Sequence, residues 1–190
     1  MRLHEHEAAD IFENAGIPFP ERGVASTPEE AEKLAVGLGC PVILKAQVLA
    51  GGRGLAGGII DAENPGEAHS SAGNLLTSEI KGLPVRKILV AKKADIVKEL
   101  YFGVTVDGFE GKPAALVSTE GGMSVEETAK RFPGKIASIH TDVNRGLLSY
   151  EARNLLKRLG FTSKELISCA GVLVKLYDVF LSCNALIAEI

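Results

Sequence analysis

The stretch from residue 42 to residue 60 places a lysine inside an apolar segment and follows it with a run of glycines. Both features suit the binding of phosphate groups. Lys45 lies within the apolar residues 42–48, and residues 51–58 are rich in glycine. Because glycine has no Cβ atom, backbone N–H groups can close over phosphate oxygens, while a lysine supplies a point charge. The pattern predicts a glycine loop that closes over the phosphates of a nucleotide, with Arg53 as a second cation at its tip.

Two other glycine signatures do not fit this stretch. Residues 52–57 match the G-x-G-x-x-G dinucleotide pattern, but that site needs a helix at the third glycine and an acidic residue about 20 positions further on. Here Ile59 and Ile60 follow, so the loop joins one strand to another. The P-loop pattern is also absent. A ligand-free hairpin tip and a solvent-exposed lysine remain the alternatives, and the combination of Lys45, the glycines and a later acidic strand favours the nucleotide.

Hydrophobic spacing predicts the elements that position these residues. Thr27 as N-cap begins a helix that leads into the lysine strand, and a helix over 65–76 and a strand over 86–93 follow the loop. Residues 100–118 alternate in the manner of an antiparallel hairpin. Further on, the pattern predicts a capping box of Ser124 and Glu127 and helices at about 150–159 and 164–182. The final strand carries Glu189.

Composition excludes several classes of function. A net charge of −3 and a pI of about 5.9 give no reason to expect binding to nucleic acid or to a membrane surface. The cysteines are odd in number and lie far apart, so we expect reduced thiols rather than a disulfide framework or a zinc site. With no apolar run long enough for a membrane span, the sequence predicts a cytoplasmic protein.

Several stretches resemble the β subunit of succinyl-CoA synthetase, an ATP-grasp acid–thiol ligase. They are LHEHEAADIF at 3–12, AGGRG at 50–54, DIVKELYFGVTVD at 95–107, STEGGMSVEETA at 118–129 and IAEI at 187–190. The resemblance implies an α+β ATP-grasp fold of two lobes, with mixed or antiparallel sheets and packed helices. The first lobe would be 22–94, and the second would combine 1–21 with 95–190 and be incomplete at its C-terminal end.

The resemblance also implies a reaction. Succinate, CoA and ATP or GTP would give succinyl-CoA, NDP and phosphate, with Mg²⁺ as the metal and a phosphohistidine carried by a separate α subunit in a heterodimer or heterotetramer. The four histidines of this chain would therefore be surface or structural residues: His4, His6, His69 and His140.

Six residues of this chain match the family's site. Lys45 matches the phosphate-contacting lysine, and Gly52, Arg53 and Gly54 match the flap over the nucleotide. Glu99 matches an acidic residue that accepts hydrogen bonds from the ribose. Glu189 matches an acidic residue near the point where the phosphohistidine reaches the nucleotide. An unpaired carboxylate buried in an apolar strand is costly, which also favours a site role for Glu189.

Three departures from the family matter. Ala91 stands where a glutamate is usual, and Leu49 and Leu55 replace polar residues beside the flap. The family's magnesium ligands and its flavodoxin-like domain lie beyond Ile190. We therefore expect that the natural protein continues and that this portion alone is inactive. The alternatives are another ATP-grasp ligase, acting on malate or citrate with CoA or joining a carboxylate to an amine, and a non-catalytic nucleotide-binding module.

Overall fold

The computed structural model describes residues 1–121 and 125–190, with side chains for all of these except 125–127. Contacts between residues divide the chain into two units. The first unit comprises Met1–Glu13 and Pro18–Asp95, and the second comprises Asn14–Ile17 and Ile96–Ile190. Of the predicted capping box, Ser124 and the side chain of Glu127 lie outside the described residues.

Residues 1–13 and 18–21 lie in the first unit and residues 14–17 in the second, whereas the prediction placed all of 1–21 with the second lobe. The physical reason is a set of contacts around Arg22. Its guanidinium pairs with Asp10 at 2.7 Å and with Glu13 at 2.9 Å, and it lies over the ring of Phe19. Phe12 stacks on that same ring with centroids 6.2 Å apart. These contacts fix the first helix within the first unit.

The first unit is an antiparallel sheet covered by helices. Its strands lie in the order β1-β6-β2-β3, every neighbouring pair is antiparallel, and β4 and β5 form a separate two-stranded ribbon. Along residues 1–95 the elements are α1 (Glu5–Asn14), β1 (Arg22–Ala25), α2 (Pro28–Leu38), β2 (Val42–Ala46), β3 (Ile59–Ala62), α3 (Pro65–Leu76), β4 (Glu79–Ile80), β5 (Leu83–Pro84) and β6 (Ile88–Lys92).

Local sequence accounts for these elements. The predicted cap of α2 is confirmed, because the Thr27 hydroxyl accepts the Glu30 N–H at 3.2 Å and the Glu30 carboxylate accepts the Ser26 N–H. In β2, Val42, Leu44 and Ala46 are fully buried in the core beneath the helices. Side chains alternate across a strand, so Lys45 leaves β2 on the opposite face.

The second unit is also an antiparallel sheet with helices, in the strand order β10-β7-β8-β9. The predicted hairpin is confirmed as β7 and β8, and the predicted final strand as β10. Along residues 96–190 the elements are β7 (Tyr101–Asp107), β8 (Lys112–Ser118), α4 (Val125–Arg131), a 3₁₀ turn (Pro133–Lys135), β9 (Ile136–His140), α5 (Ser149–Lys157), α6 (Ser163–Ser182) and β10 (Ile187–Glu189).

The core of the second unit lies between its sheet and the long helix α6, which contacts both β7 and β10. Val104, Leu173 and Leu176 are fully buried there. Tyr177 is also fully buried, and its hydroxyl shares a 2.7 Å hydrogen bond with the Thr141 hydroxyl, which satisfies both polar groups. Within the described ranges, every helix is too short or too polar to cross a membrane.

Candidate functional site

Lys45 and Arg53 converge on one carboxylate. The Lys45 Nζ atom lies 2.8 Å from Oε1 of Glu5, and the Arg53 guanidinium lies 2.5 Å from Oε2 of the same side chain. All three side chains are mostly buried, with exposed fractions of 28%, 19% and 26% for Lys45, Arg53 and Glu5. We call this arrangement the Glu5 bridge. The strand lysine and the loop arginine therefore share one carboxylate partner.

The charge of Glu5 is stabilised by its two partners. Burial by itself would raise the pKa of the Glu5 carboxyl, but the charges and hydrogen bonds of Lys45 and Arg53 hold that pKa below its ordinary value. The carboxylate is therefore ionised at neutral pH and accepts hydrogen bonds on both oxygens. A phosphate group offers the same kind of acceptors, so the two cations suit either anion.

Sequence reasoning missed Glu5. The residue lies in the first turn of α1, and forty residues separate it from Lys45. Its only signal in the sequence was its place in the stretch 3–12 that carries the family resemblance. No spacing rule connects that stretch to the lysine strand, because the contact depends on how α1 packs in the first unit.

The glycine loop, which we define as residues 47–58, is a hairpin connection between β2 and β3. Its tip is a tight turn in which the Arg53 carbonyl accepts the N–H groups of Ala56 and Gly58. Position 52 favours glycine because its φ is +67°. Position 58 favours glycine for a different reason, since a Cβ atom there would lie only 3.2 Å from the Arg53 carbonyl oxygen. Leu55 at the tip is 95% exposed. The prediction that the loop joins two strands is confirmed.

The first residues of the chain hold the base of the glycine loop. The Arg2 guanidinium donates to the Leu49 carbonyl at 3.1 Å. The Gln47 side-chain oxygen accepts the His6 backbone N–H at 3.1 Å and lies 2.9 Å from His6 Nδ1, while its amide group donates to the Lys45 carbonyl. Gln47 is 3% exposed, so this polar side chain is buried with its hydrogen bonds made.

A third cation lies beside the glycine loop. The Lys81 ammonium is 3.0 Å from the position that a Cβ atom would take on Gly52. Lys81 occupies the turn between β4 and β5 and has a φ of +52°. Its charge adds to the positive field around the loop.

Glu99 and Glu189 belong to the second unit. Glu99 is an exposed residue just before β7, and Gly121 packs closely against it, since a Cβ atom on Gly121 would lie 2.5 Å from the Glu99 Cβ. Glu189 lies opposite Gly103 in the pairing of β10 with β7. Antiparallel pairing places the end of β10 beside the beginning of β7, so both carboxylates lie at the same end of this sheet.

Glu189 is exposed, which corrects the assumption that it is an unpaired carboxylate inside an apolar strand. Its Oε2 accepts a hydrogen bond from the Tyr101 hydroxyl at 3.0 Å. Gly103 makes this possible, because a Cβ atom there would lie 2.6 Å from the Tyr101 hydroxyl. The burial cost that favoured a site role for Glu189 is therefore absent.

The whole chain matches a known domain. The model of the ATP-grasp domain family matches residues 2–190. The chain belongs to the ATP-grasp domain family. The α+β fold with two antiparallel sheets and packed helices, predicted from the resemblance, is confirmed by this match and by the structure.

The relatives of this ATP-grasp chain include β subunits of succinate–CoA ligases. The ADP-forming enzyme's β subunit from Methanothermobacter thermautotrophicus is 44% identical over 190 residues, which cover 100% of this chain and 52% of that subunit. The GDP-forming enzyme's β subunit from Thermus thermophilus is 43% identical, covering 100% of this chain and 50% of that subunit. The predicted resemblance is confirmed, and the chain spans about half the length of these curated relatives.

Solved structures share the ATP-grasp fold. The Ca. Korarchaeum cryptofilum ACD1 protein in complex with coenzyme A has a TM-score of 0.78 at 19% identity, covering 99% of this chain and 84% of that chain. ATP citrate lyase from Methanothrix soehngenii, in complex with citrate and coenzyme A, has a TM-score of 0.75 at 15% identity, covering 100% of this chain and 46% of that chain. At these identities the likeness establishes the fold.

The backbone around Ala91 is hydrogen-bonded within the first unit. Ala91 is buried in β6 between β1 and β2. The Lys92 N–H donates to the Glu21 carbonyl, and the Lys93 N–H donates to the Pro41 carbonyl. These two backbone donors are therefore already used within the protein.

No group of three or more His, Cys, Asp or Glu side chains in the described part of the chain fits a metal ion. A Mg²⁺ ion that accompanies a nucleotide needs only one or two protein oxygens beside the phosphates, and no residue of this chain is assigned to it. The histidines have protein partners instead: His140 Nε2 lies 2.8 Å from an Asp107 carboxylate oxygen, and the rings of His4 and His6 stack at 5.7 Å.

Proposed function

We propose that this chain is the nucleotide-binding part of a succinate–CoA ligase β subunit. In this reaction, succinate, CoA and ATP or GTP give succinyl-CoA, NDP and phosphate. Two observations support the proposal: identities above 40% to subunits of that name, and the convergence of Lys45 and Arg53 beneath a glycine loop. The second observation is the main support for phosphate binding. It is a property of this chain's own residues, whereas the identities describe its relatives.

Lys45 and Arg53 would neutralise the phosphate oxygens. Each can donate charge-assisted hydrogen bonds, which are about twice as strong as neutral ones. The Arg53 guanidinium also donates to the Ala46 carbonyl at 3.0 Å, so its planar group is held in place before any ligand arrives. The N–H groups of residues 51–54, with little side-chain bulk around them, would then close over the phosphates.

Glu99 and Glu189 would act on the other parts of the reactants. We propose that Glu99 accepts hydrogen bonds from the ribose hydroxyls and that Glu189 helps to position a phosphohistidine supplied by an α subunit. The exposure of both carboxylates is compatible with contact to a ligand or a partner. Magnesium would accompany the nucleotide, and no residue of this chain is assigned to hold it.

Succinate is favoured over other acids by sequence identity. The citrate-binding fold neighbour is 15% identical, whereas the succinate–CoA ligase subunits are 40–44% identical. We also place the protein in the cytoplasm, since Cys40, Cys169 and Cys183 are free thiols.

Calorimetric titration of ATP into the purified chain tests the phosphate-binding role. Lys45→Met should weaken binding by about tenfold or more, since it removes a charge-assisted contact of about 1.4 kcal/mol or more. Lys33→Met is the matched control, because Lys33 is an exposed lysine on α2. Circular dichroism confirms that both variants fold. Equal affinity of Lys45→Met and Lys33→Met would contradict the proposal, and a GTP titration separates the two nucleotides.

A further inference from the structure

We propose that Glu5 is a positioning residue that stands in for a phosphate group when no nucleotide is bound, and that the nucleotide must displace it. This inference rests on the proposed function, because it assumes that Lys45 and Arg53 hold phosphates. The Glu5 bridge occupies both cations at once, with distances of 2.8 Å and 2.5 Å to separate carboxylate oxygens. A phosphate oxygen cannot take these donor positions while the carboxylate keeps them.

The Glu5 bridge is anchored by the neighbouring residues. Arg2 and His6, on either side of Glu5, hydrogen-bond to Leu49 and Gln47 in the glycine loop. The buried amide of Gln47 in turn donates to the carbonyl of Lys45. The beginning of the chain is thereby fastened to the strand and the loop that carry the two cations. The fold therefore places Glu5, whose side chain is 26% exposed, beside both cations.

The arrangement has two consequences for the cations. In the absence of ligand, the carboxylate keeps two positive groups close together and pre-oriented, since two like charges beside the same carboxylate would repel each other without it. When the nucleotide arrives, the carboxylate competes with it. Only molecules in which the bridge is open can bind, so the apparent affinity for the nucleotide falls as the closed fraction rises.

Removing the competitor should therefore tighten nucleotide binding. The Glu5→Gln variant keeps the shape of the side chain and removes its charge. Because the lost interactions are two partly exposed ion pairs, we expect ATP to bind Glu5→Gln about three- to tenfold more tightly than it binds the unchanged chain. A residue that only supports the local structure would have the opposite effect, because its loss would misplace Lys45 and Arg53.

Glu7→Gln is the matched control. It changes the net charge by the same amount, on the same helix, at an exposed carboxylate that accepts the His4 N–H. We expect its ATP affinity to stay within about twofold of the unchanged chain, because the Glu7 carboxylate is exposed and bonded to the His4 N–H, whereas Lys45 and Arg53 pair with Glu5. A second variant, Glu5→Asp, retains the charge and shortens the side chain so that it cannot reach both cations. It should bind ATP more tightly than the unchanged chain and more weakly than Glu5→Gln.

The titrations separate the two proposals. Tighter ATP binding by the Glu5 variants, together with weaker binding by Lys45→Met, supports both. Weaker binding by Lys45→Met with equal or weaker binding by the Glu5 variants overturns the role of Glu5 and leaves the proposed function intact. Unchanged binding by Lys45→Met overturns both. Should Glu5→Gln fail to fold, Glu5→Asp decides the question by the same criterion.

Discussion

The Glu5 bridge predicts a measurable contribution to the stability of the first unit. Glu5→Gln removes the charge that holds two cations, at 2.8 Å and 2.5 Å, in a setting where each side chain is less than 30% exposed. Exposed pairs contribute about 0.2–1 kcal/mol and hydrogen bonds to charged groups about 1.5–3 kcal/mol. The Gln side chain keeps one acceptor, so we expect a loss of about 1.5 kcal/mol from the free energy of unfolding. That corresponds to a melting temperature lower by about 3–6 °C.

The assay is urea unfolding, monitored by the hydrogen exchange of backbone amides in β2 and β6. Both strands belong to the first unit, so their exchange reports on its stability. Glu7→Gln serves as the comparison, with an expected change below about 0.5 kcal/mol because its carboxylate is exposed. Equal stability of the two variants would refute the reasoning. It would mean that desolvation of the three charged groups cancels their attraction.

The same bridge predicts how stability depends on pH. Burial would raise the pKa of Glu5, but Lys45 and Arg53 lower it below the ordinary value. A carboxyl with a lowered pKa in the folded state contributes stability that is complete above the unfolded-state pKa and is lost as the pH falls through the folded-state pKa. The stability difference between the unchanged chain and Glu5→Gln should therefore be constant near neutral pH, begin to fall as the pH drops through the unfolded-state pKa of about 4.3, and vanish only below the lower folded-state pKa. A difference that grows as the pH is lowered would contradict this assignment.

Three further predictions concern the glycines and the loop. Gly52→Ala places a side chain at a φ of +67° and should weaken ATP binding several-fold. Gly51→Ala is the control, because its Cβ position is open and its φ is not positive; calorimetry should show unchanged ATP affinity for it. Gly103→Ala should displace the tyrosine that bonds the β10 carboxylate and cost about 1 kcal/mol in urea unfolding, and equal stability to Gly108→Ala, whose Cβ position is open, would count against it. Finally, trypsin should cleave after Arg53 faster in Glu5→Gln than in the unchanged chain, because the Arg53 guanidinium loses its carboxylate partner. Peptide mass spectrometry measures the cleavage rate, and equal rates would contradict the protection of Arg53 by Glu5.

Much of the fold could be predicted from the sequence, because its signals are local. The Thr27 cap, the helix over 65–76 and the hairpin through Asp107 each depend on residues only a few positions apart. The glycine loop was recognised as a strand-to-strand connection because Ile59 and Ile60 follow it directly. The family resemblance then identified the fold class as a whole.

What could not be predicted depends on contacts between distant residues. Glu5 reaches Lys45 and Arg53 because α1 is held in the first unit, through Arg22 and through the contact of His6 with Gln47, and no periodicity carries that information. The exposure of Glu189 was misjudged for a related reason. Its strand alternates an exposed, a buried and an exposed residue along the edge of the sheet, which an apolar-looking stretch of sequence does not reveal.

The central claim is that the glycine loop and Lys45 bind the phosphates of a nucleotide. The most direct measurement is a titration of ATP into the ¹⁵N-labelled chain, followed by the backbone amide shifts. The account predicts that the amides of Lys45 and of residues 51–58 shift together and saturate at the same ATP concentration. A saturable response confined to other parts of the chain, with these amides unmoved, would contradict it.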